Sequence, residues 1–327
     1  KVRVVEAWIC EGSDGFGCRV LDILVFWCAI VETNGESLLK SIGGDHPPAN
    51  DGGALLSMSK DYPLPASDAE VARLRMQSDL FREDAASMLD RIGVQLGWRC
   101  LDLGCGVGGI TDLLCRRVGL HGEVIGLDVD PWKLDVAREW AKVNLLDNVR
   151  YIEGDAFDTG LPPASFDLVH TRFALGVIPS GVGMLDHVLS LVRPGGVVFL
   201  EEADIGTLLC VPAHPAWDRA VEAITCVFDE IGADLELGRK LFPLLHQRGL
   251  RKLQVCPCVH ALRAGEPMMF HIPTTLEVMR ESVLSTGLMN ESEMQHLLTE
   301  LRRHLTRPET LMISYAMIQV SGRVPGR

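Results

Sequence analysis

The sequence is poor in basic residues, and it contains no long apolar run. Lysine and arginine total 31 against 44 aspartates and glutamates, which gives a formal net charge of -13. A nucleic-acid substrate needs a basic face, so this deficit weighs against one. The most apolar stretch, Leu24–Val31, is far shorter than the roughly twenty residues of a membrane-spanning helix. We therefore predict no membrane span and a small-molecule substrate.

The sequence also lacks paired cysteine modules. Its ten cysteines are scattered, and Cys256 and Cys258 have no second pair at the spacing that a zinc site requires. We therefore predict no metal. Because the cysteines do not form a paired framework, we expect their thiols to be reduced, as in a cytosolic protein. We therefore predict a cytoplasmic location.

The segment RCLDLGCGVGGITD, residues 99–112, is the most informative part of the chain. An apolar run typical of a buried parallel strand leads into Gly104, Gly106 and Gly108, and a predicted helix begins near Ile110. Glycines let the backbone turn tightly and approach a ligand, and the free N–H groups of the helix would point toward it. The segment predicts a nucleotide-type binding turn, which we call the glycine turn (residues 104–109).

An acidic residue close to the glycine turn distinguishes between ligands. Dinucleotide sites have the spacing G-x-G-x-x-G, whereas here the spacing is G-x-G-x-G-G, and Asp102 comes two residues before the first glycine. A carboxylate at this place would repel a pyrophosphate. It suits a ligand that carries an ammonium group, such as the methionine end of S-adenosylmethionine.

The segment from Asp102 to Gly108 resembles the first motif of class I S-adenosylmethionine-dependent methyltransferases. Strands and helices alternate after it, which favours an α/β fold with a doubly wound, mostly parallel sheet. The resemblance covers residues from about 60 to 322 and is strongest to the ubiquinone/menaquinone-biosynthesis type and to natural-product methyltransferases. It implies a Rossmann-like sheet of seven strands, with S-adenosylmethionine as cofactor and S-adenosylhomocysteine as product.

Further cofactor-binding residues are predicted where later strands end. Asp128 closes the second strand, 20 positions beyond Gly108, where a carboxylate can accept both ribose hydroxyls, and Val129 would pack on the adenine. The resemblance implies that Asp155 accepts from the adenine amino group beside the Ala156 N–H. The predicted cofactor-binding residues are Tyr62, Gln77, Asp102, Gly104, Cys105, Gly106, Asp128, Val129, Asp155, Ala156, Thr171 and Arg172.

The two ends of the chain are expected to carry additions to this core. Residues 1–59 are predicted to be an N-terminal extension and linker, either a buried strand or a poorly ordered appendage. Residues 60–327 would form the methyltransferase domain. In it, residues 60–97 would be lid helices, including Tyr62 and Gln77, residues 98–204 the cofactor-binding half, and residues 205–327 helical insertions and the last two strands.

The acceptor side of the reaction is less well marked. His170 and Glu202 are the leading candidates for a general base, with Glu201 and His271 as others, although His170 also fits a buried histidine with satisfied hydrogen bonds. Methionines are frequent in residues 267–307, and Met268, Met269 and Phe270 are predicted to line an apolar substrate pocket.

The sequence thus predicts methyl transfer to an O, N or C nucleophile of a small, largely apolar metabolite by in-line displacement. The competing interpretations are a catalytically inactive cofactor-binding partner subunit and, further off, a protein or RNA methyltransferase. A nicotinamide dehydrogenase is disfavoured, because the Asp102 carboxylate would repel the pyrophosphate of its cofactor. A homodimer is the candidate assembly.

Overall fold

The computed structural model describes residues 63–64 and 67–326. Tyr62 and the predicted extension, residues 1–59, lie outside these described residues. None of the described helices has the length and apolarity that crossing a membrane demands.

A seven-stranded sheet forms the centre of the fold, with strand order β3-β2-β1-β4-β5-β10-β7. Only β10 runs against its neighbours, β5 and β7. The predicted doubly wound, mostly parallel sheet is confirmed. Its strands are β1 (Arg99–Leu103), β2 (Glu123–Asp128), β3 (Val149–Glu153), β4 (Phe166–Arg172), β5 (Val192–Asp204), β7 (Arg251–Cys258) and β10 (Ala316–Arg323).

Helices cover both faces of this sheet, and two more helices precede it. The helices up to β5 are α1 (Asp68–Leu80), α2 (Arg82–Ile92), α3 (Thr111–Val118), α4 (Pro131–Val143) and α5 (Leu185–Leu191). Strands β1 and β2 are almost fully buried because residues such as Leu101 pack against one layer of helices and residues such as Cys100 against the other. Gly126 in β2 leaves room for the ring of Tyr151, since a Cβ there would lie 2.6 Å from it.

Helix α1 begins at a side-chain cap. Ser67 accepts a hydrogen bond from the Glu70 N–H at 3.1 Å. The Glu70 carboxylate accepts from Arg73 of the same helix at 2.6 and 2.7 Å.

The C-terminal segment, residues 311–323, does not form one continuous strand. That segment divides into β9 (Leu311–Ile313) and β10 on either side of Ser314 and Tyr315, and the N–H of Ser314 donates to the His260 carbonyl. Strand β9 joins a second sheet, in the order β6-β9-β8, with β6 (Leu209–Val211) and β8 (Ala261–Arg263). The remaining helices are α6 (Pro215–Glu230), α7 (Leu241–Gln247), α8 (His271–Val278), α9 (Arg280–Ser285) and α10 (Glu291–Leu305).

The methionine-rich insertion forms a core of its own. Met268 and Met269 are buried with residues of α6, α8 and α10, and Phe270 packs against the same cluster. These side chains fill the space between helices, which disagrees with the prediction that they line an open substrate pocket. Met289 alone of the insertion's methionines borders a cleft of about 420 Å³ between α6 and α10.

Candidate functional site

The glycine turn connects β1 to α3 at the carboxyl edge of the main sheet. Its N–H groups at Gly104 and Cys105 both donate to the Leu127 carbonyl, at 2.8 and 3.0 Å. Gly104, Gly106 and Gly108 have φ values of +71°, +52° and +90°. Side chains disfavour this region, so the turn depends on glycine at these positions.

The three glycines differ in what surrounds them. A Cβ on Gly104 would lie 3.1 Å from the Ala174 Cβ, and one on Gly108 would lie 3.2 Å from the Tyr151 hydroxyl. A Cβ on Gly106 would meet no atom within 4 Å. Gly106 is therefore the point at which the turn presents its backbone to open space.

Asp128, at the end of β2, fixes this exposed part of the turn. Its carboxylate accepts from the Gly106 N–H at 2.8 Å and from the Asp130 N–H at 3.0 Å. Burial raises the pKa of Asp128, although these bonds and Lys133 oppose the shift. Val129 follows with 38% of its surface exposed, at the same edge of the sheet.

Asp155 and Ala156 lie just beyond the end of β3 and are half-buried. Asp155 Oδ1 accepts from the Phe157 N–H at 2.8 Å, which closes a local turn. Asp128 and Asp155 thus follow neighbouring strands at one edge of the sheet, as predicted, and each carboxylate oxygen retains a further acceptor site.

Asp102 occupies a different position from the other two acids. Its side chain is buried beneath the glycine turn, where Oδ2 accepts from the Thr111 hydroxyl at 2.5 Å and Oδ1 lies 2.8 Å from His170 Nδ1. Thr111 is the first residue of α3, so Asp102 ties the strand to the start of the helix. This placement lets Asp102 support the turn from beneath, and its direct contact with an ammonium group stays a prediction.

A buried polar network continues from Asp102 across the sheet. His170 Nε2 lies 2.9 Å from Glu201 Oε1, and Glu201 also accepts from Arg172 Nε at 3.0 Å and from Gln319 Nε2 at 2.7 Å. We call Asp102, His170, Glu201, Arg172 and Gln319 the buried network. It lies under the site and contains two carboxylates and two basic side chains.

The pKa shifts in the buried network follow from its pairing. Burial alone would lower the pKa of His170, but hydrogen bonds and charges from Asp102 and Glu201 outweigh it and raise the pKa. Burial alone would raise the pKa of Glu201, but Arg172 and His170 bring it down to about 2. With both ring nitrogens on carboxylates and 1% of its surface exposed, His170 is placed to hold the network together. The role of His170 as a general base stays a prediction.

Glu202 is bonded to the backbone of a neighbouring loop, and its catalytic role stays a prediction. Its buried carboxyl group accepts from the N–H groups of Ala174, Leu175 and Gly176 at 3.1, 2.9 and 3.2 Å. Burial raises its pKa to about 8 even against these bonds. Glu202 therefore holds the loop that follows β4, including the Ala174 methyl that packs under Gly104.

The other predicted residues divide between backbone and side-chain roles. The Cys105 thiol is buried, and burial raises its pKa well above the ordinary value, so only its backbone faces the turn. Thr171 Oγ1 and Arg172 Nη1 are buried at the end of β4 and have no hydrogen-bond partner among the described residues.

No group of three or more His, Cys, Asp or Glu side chains within the described part of the chain is arranged to hold a metal ion.

Helix α1 is attached to the site by contacts that the sequence did not reveal. Gln77 donates to the Tyr315 hydroxyl at 2.7 Å, and the Ser78 hydroxyl donates to the Gly109 carbonyl at 2.9 Å. Gln77 is buried in this contact. Spacing alone could not reveal Ser78 or Tyr315, because their partners are distant in sequence.

Comparison with known proteins agrees with this geometry. Residues 100–196 match the family model described as "Methyltransferase domain". The chain is 36% identical over 129 residues to a demethylmenaquinone methyltransferase of Geobacillus sp. (strain WCH70), covering 39% of this chain and 54% of that protein. It is 35% identical over 117 residues to one of Staphylococcus aureus (strain MRSA252), covering 36% and 48%. The chain thus spans about half the length of the curated relatives it matches.

Solved structures show the same fold. A candidate methyltransferase of Bacillus halodurans has a TM-score of 0.51 at 17% identity and covers 74% of this chain and 99% of its own. The YcgJ protein of Bacillus subtilis has a TM-score of 0.51 at 17% identity and covers 75% and 100%. At this identity the likeness concerns the fold alone.

The sheet topology, the glycine turn and the match over residues 100–196 agree with the predicted resemblance to class I S-adenosylmethionine-dependent methyltransferases. Among curated proteins the chain resembles the demethylmenaquinone methyltransferases.

Proposed function

We propose that this protein transfers the methyl group of S-adenosylmethionine to a nucleophile of a small, largely apolar metabolite. The observation that carries the proposal is the glycine turn, whose open backbone at Gly106 is held by Asp128. The curated relatives are named for demethylmenaquinone, which is in keeping with an apolar acceptor. The net charge of -13 weighs against an RNA substrate.

The residues present fit such a methyl donor. Gly104, Cys105 and Gly106 would approach it through the backbone, because a Cβ at Gly106 would occupy the open space beside the turn. Asp128 would accept from the ribose hydroxyls, with Val129 against the adenine. Asp155 and the Ala156 N–H would bind the adenine edge.

The chain's contribution to catalysis would be mainly positional. S-adenosylmethionine supplies a methyl group on a good leaving group, so the protein needs to hold donor and nucleophile close together and in line. Asp102 and the buried network would fix the glycine turn from below. Glu202 would fix the loop after β4, which brings Thr171 and Arg172 to the acceptor side.

The wider organisation belongs to the same proposal. Residues 60–327 would act as one methyltransferase domain with residues 60–97 as its lid, and Tyr62 and Gln77 would belong to that lid. A homodimer and a cytoplasmic location are proposed with it. The described cysteines are all free thiols, as a reducing compartment would leave them.

Two titrations and one assay test this function. S-adenosylhomocysteine should bind with a calorimetric signal, whereas NAD should give none. Incubating the full chain with methyl-labelled S-adenosylmethionine and a metabolite extract should then yield a labelled small molecule detectable by mass spectrometry. Binding without any labelled product would favour the inactive partner subunit, and binding of NAD alone would contradict the proposal.

A further inference from the structure

Helices α1 and α8 contact each other, and each buries several polar residues, which is unusual for helices that pack in a core. Glu70, Arg73 and Gln77 recur at three- and four-residue spacing and share one buried face of α1. His271 and Thr275 lie one turn apart on α8, and each has 6% of its surface exposed. Burying a polar group costs free energy unless the group is hydrogen-bonded, so a buried polar group without a partner in the protein is a candidate ligand contact.

The polar groups of α1 have partners within the protein. Glu70 and Arg73 form a two-pronged ion pair, and Gln77 donates to the Tyr315 hydroxyl. The groups of α8 differ, because His271 Nδ1 and Thr275 Oγ1 have no hydrogen-bond partner among the described residues. An unsatisfied buried polar atom costs about 1–3 kcal/mol, and a ligand that supplies the missing partner recovers it.

The unsatisfied atoms identify the complementary chemical group. Burial and the charge of Arg73 lower the pKa of His271 to about 3, so its imidazole is neutral at physiological pH. A neutral imidazole and a threonine hydroxyl can each donate or accept, and a ligand hydroxyl can do both in return. The charges nearby are compensated within the protein, since Arg73 pairs with Glu70 and Arg172 with Glu201. This environment favours an uncharged ligand.

Aromatic rings lie next to His271. Tyr315 lies 5.9 Å from His271 and 5.8 Å from Phe173, measured between ring centroids, and stacks on Phe81 at 5.6 Å. Phe173 is half-buried, and its φ of +50° is rare for an aromatic residue, a kind of strain that concentrates at functional sites. Flat apolar rings are suited to a planar ligand.

Topology places these residues beside the proposed donor site. Phe173 directly follows β4, and Tyr315 directly precedes the antiparallel strand β10, so both lie at the carboxyl edge of the parallel strands. Helix α1 reaches the glycine turn through the bond from Ser78 to Gly109.

We propose that His271 and Thr275 bind the hydroxyl group of a planar, uncharged methyl acceptor, with Phe173 and Tyr315 against its ring. The inference rests on the proposed methyl transfer and names the acceptor class for that site. Because the imidazole is a weak base here, His271 acts as a positioning residue that holds the hydroxyl.

A matched pair of fluorescent probes tests this proposal. Umbelliferone is a planar phenol, and herniarin is its methyl ether, in which a methyl group replaces the hydroxyl proton, so the oxygen can accept a hydrogen bond but cannot donate one. Titrations at about pH 6 with the full chain and saturating S-adenosylhomocysteine should show umbelliferone binding about tenfold more tightly, which corresponds to one or two neutral hydrogen bonds. His271→Phe should reduce this preference to less than about twofold and leave herniarin affinity unchanged. Thr275→Val, which conserves side-chain shape, should reduce it in part.

His304→Phe is the control variant. His304 is also buried and also has an Nδ1 without a partner among the described residues, but it lies on α10 beside Pro212 and His214. It should retain the full preference for umbelliferone. Equal affinity of the wild type for both probes, no binding of either, or a preference that survives both His271→Phe and Thr275→Val would overturn the proposal. Binding of S-adenosylhomocysteine, measured separately, shows whether the proposed function itself has failed.

Discussion

At the scale of single residues, the buried network is the unusual feature of this domain. Two carboxylates, Asp102 and Glu201, lie on either side of His170, and Arg172 supplies a second positive charge to Glu201. Buried ions are costly to desolvate, and only close pairing compensates that cost. Each charge therefore depends on the others, and removing one leaves its partner uncompensated beneath the glycine turn.

His170→Gln should lower the free energy of unfolding by about 3–5 kcal/mol, because two buried carboxylates lose their shared cation. The raised pKa of His170 sets the sign of the pH dependence. A histidine whose pKa is raised in the folded state stabilises that state fully at pH values below the ordinary histidine pKa. This contribution disappears as the pH rises through the raised pKa. Urea denaturation should thus show a gap between wild type and variant that is largest near pH 6 and narrows at higher pH.

The exposed His246 provides the comparison for this measurement. His246→Gln should change the free energy of unfolding by less than about 0.5 kcal/mol at every pH. A gap between wild type and His170→Gln that widens with pH would contradict a protonated His170.

At the scale of elements, the sequence predicted the glycine turn well and the buried network poorly. The turn is a local pattern of glycines between a strand and a helix, so it needs no long-range information. The network depends on strand register, because Asp102 lies opposite His170 on β4, and Arg172 lies opposite Glu201 on β5. The two-residue period does place His170 and Arg172 on one face, which is the signal that could have revealed it.

Replacing Gly106 by alanine separates backbone strain from ligand contact. Gly106 and Gly249 both have positive φ, +52° and +76°, and a Cβ on either would meet no atom within 4 Å. Gly106→Ala and Gly249→Ala should each cost about 1–2 kcal/mol of stability through backbone strain alone. Only Gly106→Ala should also weaken S-adenosylhomocysteine binding, by about tenfold or more, because its methyl group would enter the ligand's space. Equal calorimetric affinities in the two variants would show that the ligand does not approach Gly106.

At the scale of the whole molecule, one edge of the main sheet gathers the functional features. The glycine turn, Asp128 and Asp155 follow β1, β2 and β3, while Phe173 and Tyr315 adjoin β4 and β10. The alternating pattern of strands and helices predicted the doubly wound, mostly parallel character of this sheet, and the family resemblance implied its seven strands. The second sheet was missed because β6, β8 and β9 are short and come from positions spread over about a hundred residues of the chain.

The methionines illustrate a further limit of sequence patterns at this scale. A stripe of Met268, Met269 and neighbouring apolar residues is compatible both with a pocket wall and with a core. Only the packing of α6, α8 and α10 around them decides for the core. The polar residues His271 and Thr275 on the same insertion now give the more specific indication of where an acceptor binds.

A crystal grown with S-adenosylhomocysteine tests most directly whether the methyl donor lies across the glycine turn. We expect electron density beside Gly106, with the ribose hydroxyls about 3 Å from the Asp128 carboxylate and the adenine against Val129. Density for the ligand anywhere else on the protein would contradict it.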